Sequence, residues 1–162
     1  MNPFLRRRGM NPIVPPSPLI RSMNIIIWNC RGCNGDDFKR SFRALLDWHK
    51  PTLVALVETK MQDHQTLLDD FTFNNMNQVP TNGNYGGLTI LWDDTILVLD
   101  DIATTGQEIH AMVKVRTTNH SWLFSCIYAS TCRCYRKIIW ENIKTIKDKF
   151  DGKWLLGGGG GV

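Results

Sequence analysis

The pattern of apolar and polar positions changes character part-way along this chain. Near its start, Ile25-Ile26-Ile27-Trp28 is an unbroken apolar run that stops at Asn29 and turns at Gly32, as a strand buried on both faces does. Leu53-Val54-Ala55-Leu56-Val57 repeats the pattern and stops at Glu58. Between the two, Phe38, Phe42, Leu45 and Leu46 recur at helical spacing, with Asp36 or Asp37 as the cap and Pro51 as the stop. Residues 24–58 therefore predict a β-α-β unit with parallel strands. A short helix is expected over Gln65 to Asp70.

Beyond a turn cluster at 82–87 the period shortens to two. The runs 88–92 and 95–99 flank Asp93-Asp94 and predict a hairpin. Ile109, Ala111, Val113 and Val115 alternate with His110, Met112, Lys114 and Arg116, which predicts a half-exposed antiparallel strand. Residues 122–129 predict another strand. Ile139, Ile143, Ile146 and Phe150 mark one stripe of a helix, and Trp154-Leu155-Leu156 opens a last strand. One β-α-β unit, a run of strands, a helix and a strand predict helices layered on sheet.

Residues 1–23 stand apart from this pattern. Pro3, Pro12, Pro15, Pro16 and Pro18 oppose any helix, and the segment predicts a disordered, basic, Pro-rich leader ahead of a domain over 24–162. Composition adds little, because the net charge of +4 is the leader's own. Four of the 19 basic residues (Arg6, Arg7, Arg8 and Arg21) lie there, leaving 15 against 15 acidic ones in the domain. Only the stretch 133–153 is locally basic, through Arg133, Arg136, Lys137 and four lysines, a charged surface helix or a nucleic-acid face. No run is long and apolar enough to span a membrane. Five cysteines, an odd number, and the lack of an apolar signal segment favour free thiols in an intracellular setting.

The two early strands each deliver an oxygen-bearing side chain at the carboxyl end, Asn29 and Glu58, where α/β folds place their chemistry. Oxygen donors of that kind suit a hard cation, although a turn cap at Asn29 and a solvated Glu58 read as well from either strand alone. Cys30-x-x-Cys33 and Cys132-x-Cys134 offer four thiols for zinc, at spacing that suits a knuckle poorly. The terminal run Gly157 to Gly161 carries no chemistry of its own and reads as a flexible or artificial end.

A set of short motifs follows in order: Trp28-Asn29-Cys30-Arg31-Gly32, Glu58-Thr59-Lys60, Gly86-Gly87-Leu88-Thr89-Ile90-Leu91-Trp92, Tyr128-Ala129, Arg136 with Trp140, and Trp154-Leu155-Leu156-Gly157-Gly158. In this the chain resembles the endonuclease domain of plant non-LTR (LINE-type) retrotransposons, within the endonuclease/exonuclease/phosphatase family. The resemblance covers 24–162, the first part of that domain. It implies a two-sheet α/β sandwich truncated to roughly its first half, Mg²⁺- or Mn²⁺-dependent phosphodiester hydrolysis, DNA as partner and a nuclear location. No small-molecule cofactor and no membrane are implied. Glu58 is then the metal ligand, Asn29 orients the metal or phosphate, and Tyr128 contacts the scissile phosphate.

The departures matter as much. Relatives continue from Gly157-Gly158 into Asp-Phe-Asn, which falls here on Gly159, Gly160 and Gly161. The aspartate activates the attacking water in the family, and the later Asp and His of that domain have no counterpart. Such groups act as a unit, so losing them predicts a catalytically incomplete fragment, a nicking enzyme by resemblance only. A half sandwich would also leave one apolar sheet face bare. The alternatives are a non-catalytic nucleic-acid-binding fragment using Arg133, Arg136 and Lys137, and a zinc-stabilised small domain.

Overall fold

The computed structural model describes residues 23–83 and 86–160. Residues 1–22 of the proposed leader, the middle of the 82–87 turn and residues 161–162 lie outside the described residues; Met23, assigned to the leader, packs against the core.

The opening β-α-β unit forms, although its first strand, at the sheet edge, is half-buried at every position and not buried on both faces. Strand β1 (Ile25–Asn29), helix α1 (Asp36–His49) and strand β2 (Leu53–Val57) make a β-α-β unit, with Asn29 opposite Val57 in a parallel pair. Helix α1 starts from Gly35, which has no side-chain cap bond, so neither Asp36 nor Asp37 is the cap. Both sit in the first turn, where a carboxylate favours the positive end of the helix dipole. Phe38, Phe42 and Leu46 are buried, while Leu45 is half-buried. Helix α2 (Gln65–Asp70) follows, then β3 (Asn75–Val79) and β4 (Leu88–Trp92).

The predicted hairpin at Asp93-Asp94 does not form. Strand β4 pairs with β2 and β3, whereas β5 (Leu97–Thr104) pairs with β6 (Glu108–Val115) in a different sheet. The turn carries the chain from one sheet to the other, held by Asp93 Oδ1, which accepts from the Thr95 backbone and hydroxyl. Every residue of β4 is buried, so β4 is a central strand and needs a neighbour on both edges. Strand β7 (Ser121–Ala129), helix α3 (Arg133–Lys149) and β8 (Trp154–Gly160) complete the described chain.

The result is two four-stranded sheets, ordered β1-β2-β4-β3 and β5-β6-β7-β8, packed face to face. Leu53, Ala55, Val57, Ile109, Phe124 and Cys126 lie in the core between them. The other face of the first sheet is covered by α1 and α2, through Phe42, Leu46, Leu67 and Phe71 against Val54 and Leu56. Each face of β2 thus belongs to a different core, which is why its sequence is apolar without alternation. Phe42 and Phe71 meet edge-on, ring centres 4.6 Å apart.

Helix α3 lies against the outer face of the second sheet, where Ile139 is buried. The His110 face of β6 is therefore less exposed than its polar letters predict, and Glu108 and His110 are both buried. Asn142 on α3 donates to Glu108 Oε2 at 2.7 Å. Trp154 Nε1 donates to Ser125 Oγ at 2.8 Å, and that hydroxyl meets His110 Nδ1 at 2.7 Å. Gly157 to Gly160 are not a loose end: they continue β8 as a parallel partner of β7, up to Ala129 opposite Gly160.

Candidate active site

In-register parallel pairing makes β1 and β2 finish together, so Asn29 and the Val57–Glu58 step share one end of the sandwich. The chain leaves β2 through a sharp corner in which Glu58 (φ 60) and Lys60 (φ 55) are both left-handed. Two backbone bonds pin that corner to the glycine turn: Thr59 N–H donates to the Gly87 carbonyl at 3.1 Å and Lys60 N–H to Gly86 at 3.0 Å. A side chain at Gly87 would run into Thr59 Oγ1, and its φ of 88 disfavours other residues, so the approach requires glycine.

The second sheet adds two positions. The Tyr128 ring rests on the same turn, since a Cβ at Gly86 would lie 3.5 Å from Tyr128 Cε1. Tyr128 is buried, and in register it stands opposite Gly159 on β8. A Cβ at Gly159 would come 2.8 Å from Asn29 Nδ2. Asn29, Tyr128, Gly159 and the Glu58 corner thus lie together across the two sheets.

Among the described residues, Asn29 Oδ1 is buried with no hydrogen-bond partner. An orphaned buried acceptor is costly and calls for a missing partner. The Glu58 carboxylate is largely buried, with Lys60 Nζ at 3.9 Å. An amide oxygen awaiting a partner and a carboxylate at the same strand ends are donors of the type that magnesium takes, with waters filling the rest of its shell. The fit holds for these two; no cluster of three His, Cys, Asp or Glu side chains assembles among the described residues. That also overturns the zinc expectation: Cys30 and Cys33 follow β1, Cys132 and Cys134 start α3, and the four thiols do not gather.

One residue of the site's support escaped the sequence reading. His64 is fully buried behind the Glu58 corner, with Nε2 2.6 Å from Thr59 Oγ1 and Nδ1 2.7 Å from Gln78 Oε1. Gln78 Oε1 can only accept, so Nδ1 carries the proton and Nε2 accepts from the Thr59 hydroxyl. Burial holds the imidazole below its ordinary pKa, outweighing the Gln78 bond and the Asp63 charge, which favour protonation. A lone histidine ahead of a short helix carried no signal for this role.

The basic residues sit at the start of α3. Arg136 donates to the carbonyls of Ser130 (3.3 Å) and Thr131 (2.9 Å), bracing the loop after Tyr128. Arg133 and Lys137 are exposed, and Lys137 pairs loosely with Glu141 at 3.9 Å. A cavity of about 740 Å³, lined by Asn24, Arg43, Asp70, Phe73 and Asp93 among others, opens at the opposite strand ends and holds none of the candidate residues.

No family model matches the chain, and no curated protein matches it. Solved structures do. TDP2 of D. rerio, complexed with a single-strand DNA product, superposes with a TM-score of 0.65 at 17% identity, over 84% of this chain and 59% of that one. An endonuclease/exonuclease/phosphatase family protein from Bacteroides thetaiotaomicron gives 0.62 at 12%, over 84% and 61%. The fold is of the endonuclease/exonuclease/phosphatase type. The human Nocturnin catalytic domain with bound sulfate gives 0.60 at 12%, over 82% and 62%. The chain therefore spans less than two thirds of these neighbours' length, as a two-sheet α/β sandwich truncated relative to them.

Proposed function

We propose that this chain carries the amino-terminal part of a metal-dependent phosphodiesterase of the retrotransposon endonuclease type, directed at DNA. In this reading Glu58 is the principal metal ligand and Asn29 orients the metal or the phosphate. Tyr128 sits against a phosphate oxygen. A bound Mg²⁺ or Mn²⁺ would supply charge stabilisation at the phosphoryl oxygens. The orphaned Asn29 Oδ1 beside the end of β2 carries this reading, because a cation or its water gives that oxygen its missing partner. DNA as the ligand class draws support from the single-strand DNA product held by the D. rerio neighbour.

Gly159 limits the activity. A Cβ at this position would face Asn29; by the resemblance, it is where retrotransposon endonucleases carry the water-activating aspartate, and glycine cannot take a proton. A positioned general base contributes about 10²–10⁴-fold in rate, and more is lost where catalytic groups act as a unit, so we expect the chain to hold a cation while its nicking is suppressed by at least that factor. Plasmid relaxation in Mg²⁺ or Mn²⁺ tests this: efficient nicking by the chain that disappears in Glu58→Ala contradicts the predicted suppression.

A second reading rests on α3. Trp140 (61% exposed) stands among Arg133, Lys137 and Lys144, a basic face with one aromatic stacking platform. DNA binding that weakens steeply with salt and is unchanged in Glu58→Ala would favour a non-catalytic binding fragment.

A further inference from the structure

Cys30 and Cys33 lie where the turn after β1 folds back onto the Glu58 corner, and their sulfurs are 2.9 Å apart. That is inside the roughly 3.5–4.0 Å at which non-bonded carbons rest, and sulfur is the larger atom. Both are free thiols. Arg31 (φ 53) and Gly32 (φ 121) take left-handed conformations between them, which turns the chain tightly enough to bring the sulfurs together. The pair is also fastened to the end of β2. Cys30 N–H donates to the Val57 carbonyl at 3.0 Å, and Cys33 N–H to the Thr59 carbonyl at 2.9 Å. The Cys30 thiol points to the Val57 carbonyl as well, at 3.3 Å. Glu58 is bracketed by the two carbonyls that hold the cysteines.

We propose that Cys30 and Cys33 form a thiol–disulfide redox site whose closure clamps the corner bearing Asn29 and Glu58. The co-reactant is a disulfide, low-molecular-weight or protein. Cys30 is half-buried and Cys33 buried, so Cys30 is the point of entry. Its thiol loses a proton to solvent and the sulfur attacks one sulfur of the incoming disulfide, breaking that S–S bond and releasing a first thiolate, which takes up a proton. Cys33 Sγ then loses its proton and attacks Cys30 Sγ in the mixed disulfide, expelling the second thiol. Two protein thiols are oxidised to one disulfide while the co-reactant is reduced to two thiols. The sulfurs must close to about 2.05 Å. That pull reaches Glu58 through the two backbone bonds to Val57 and Thr59. Cys126 is buried in the core between the sheets, and Cys132 and Cys134 are exposed on α3, so neither competes with Cys33 for Cys30. The proposal stands independently of the phosphodiesterase reading.

The test uses the full chain with Cys132→Ser and Cys134→Ser, equilibrated in reduced and oxidised glutathione, then alkylated, digested and mapped by mass. The expected result is a Cys30–Cys33 cross-linked peptide that reverts on reduction, together with slower amide exchange at Thr59 and Lys60 in the oxidised protein. Three results overturn the proposal: both thiols alkylated under oxidising conditions, a persistent glutathione adduct at Cys30, or a cross-link that leaves exchange at Thr59 and Lys60 unchanged.

Discussion

Gly159 faces Asn29 across the two sheets, close enough that a Cβ on residue 159 would sit 2.8 Å from the Asn29 amide nitrogen. Glycines along β8 meet different obstacles, so their alanine variants should separate. At Gly158 the obstacle is the Ile127 backbone carbonyl, which cannot swing away; at Gly160 the nearest atom is the Ala129 carbonyl oxygen at 3.3 Å. Gly158→Ala is expected to destabilise most, in or above the range of about 1–3 kcal/mol typical of overpacking. Gly159→Ala falls between, because the Asn29 side chain can give, and Gly160→Ala costs least. Urea midpoints for the three give the order, and equal midpoints would contradict the packing of β8 on β7.

The pH dependence of stability should carry a signature of His64. Burial lowers its folded pKa from an ordinary 6.5, so on acidification the unfolded chain takes the proton first. The contribution is complete above the unfolded value and is lost as pH falls from there through the folded one. From about pH 7 to about pH 5 the urea midpoint of the wild type should fall, with a shallower fall in His64→Gln. A parallel fall in both proteins would contradict a buried neutral imidazole.

Glu108 acts in a lower window. Burial works against its charge, but bonds from His110, Asn142 and Thr105 outweigh burial and leave its pKa below the ordinary 4.5. Its stabilisation is present above that value and lost as pH falls below it. Ser125→Ala in the same network leaves the Trp154 indole N–H and His110 Nδ1 without their partner. The expected loss is about 1–3 kcal/mol, the cost of stranding buried polar groups. Asn142→Ala should loosen α3 from β6, read as faster amide exchange along α3.

The strand ends were legible in the sequence because β1 and β2 carry apolar residues on both faces, half-buried in the edge strand β1 and fully buried in β2, and announce their termini with single polar residues. The helical stripe of α1 was legible through burial at a fixed period, and that of α3 through an apolar side that is buried at Ile139 and half-buried at Ile143, Ile146 and Phe150. What failed was pairing. Asp93-Asp94 has hairpin letters, yet only the second neighbour of β4 explains why the turn leaves the sheet, and that neighbour is β3. Strand β3 reads Asn75-Met76-Asn77-Gln78-Val79, an edge strand with too few apolar letters to stand out. Of the site, Asn29, Glu58 and Tyr128 were named from motifs, while His64 was missed because its role depends on Gln78, fourteen residues away.

Mn²⁺ binding measured by electron paramagnetic resonance, on the wild-type chain beside Glu58→Gln and Asn29→Ala, tests the cation corner most directly. The substitution at Glu58 removes charge from an oxygen donor with little change in shape, so the fold is kept. The prediction is a bound Mn²⁺ in the wild type, affinity reduced about tenfold or more in Glu58→Gln, and a smaller loss in Asn29→Ala, in line with the cost of losing groups at a metal site. Equal Mn²⁺ binding by all three proteins, or none by the wild type, would contradict a cation site at the ends of β1 and β2.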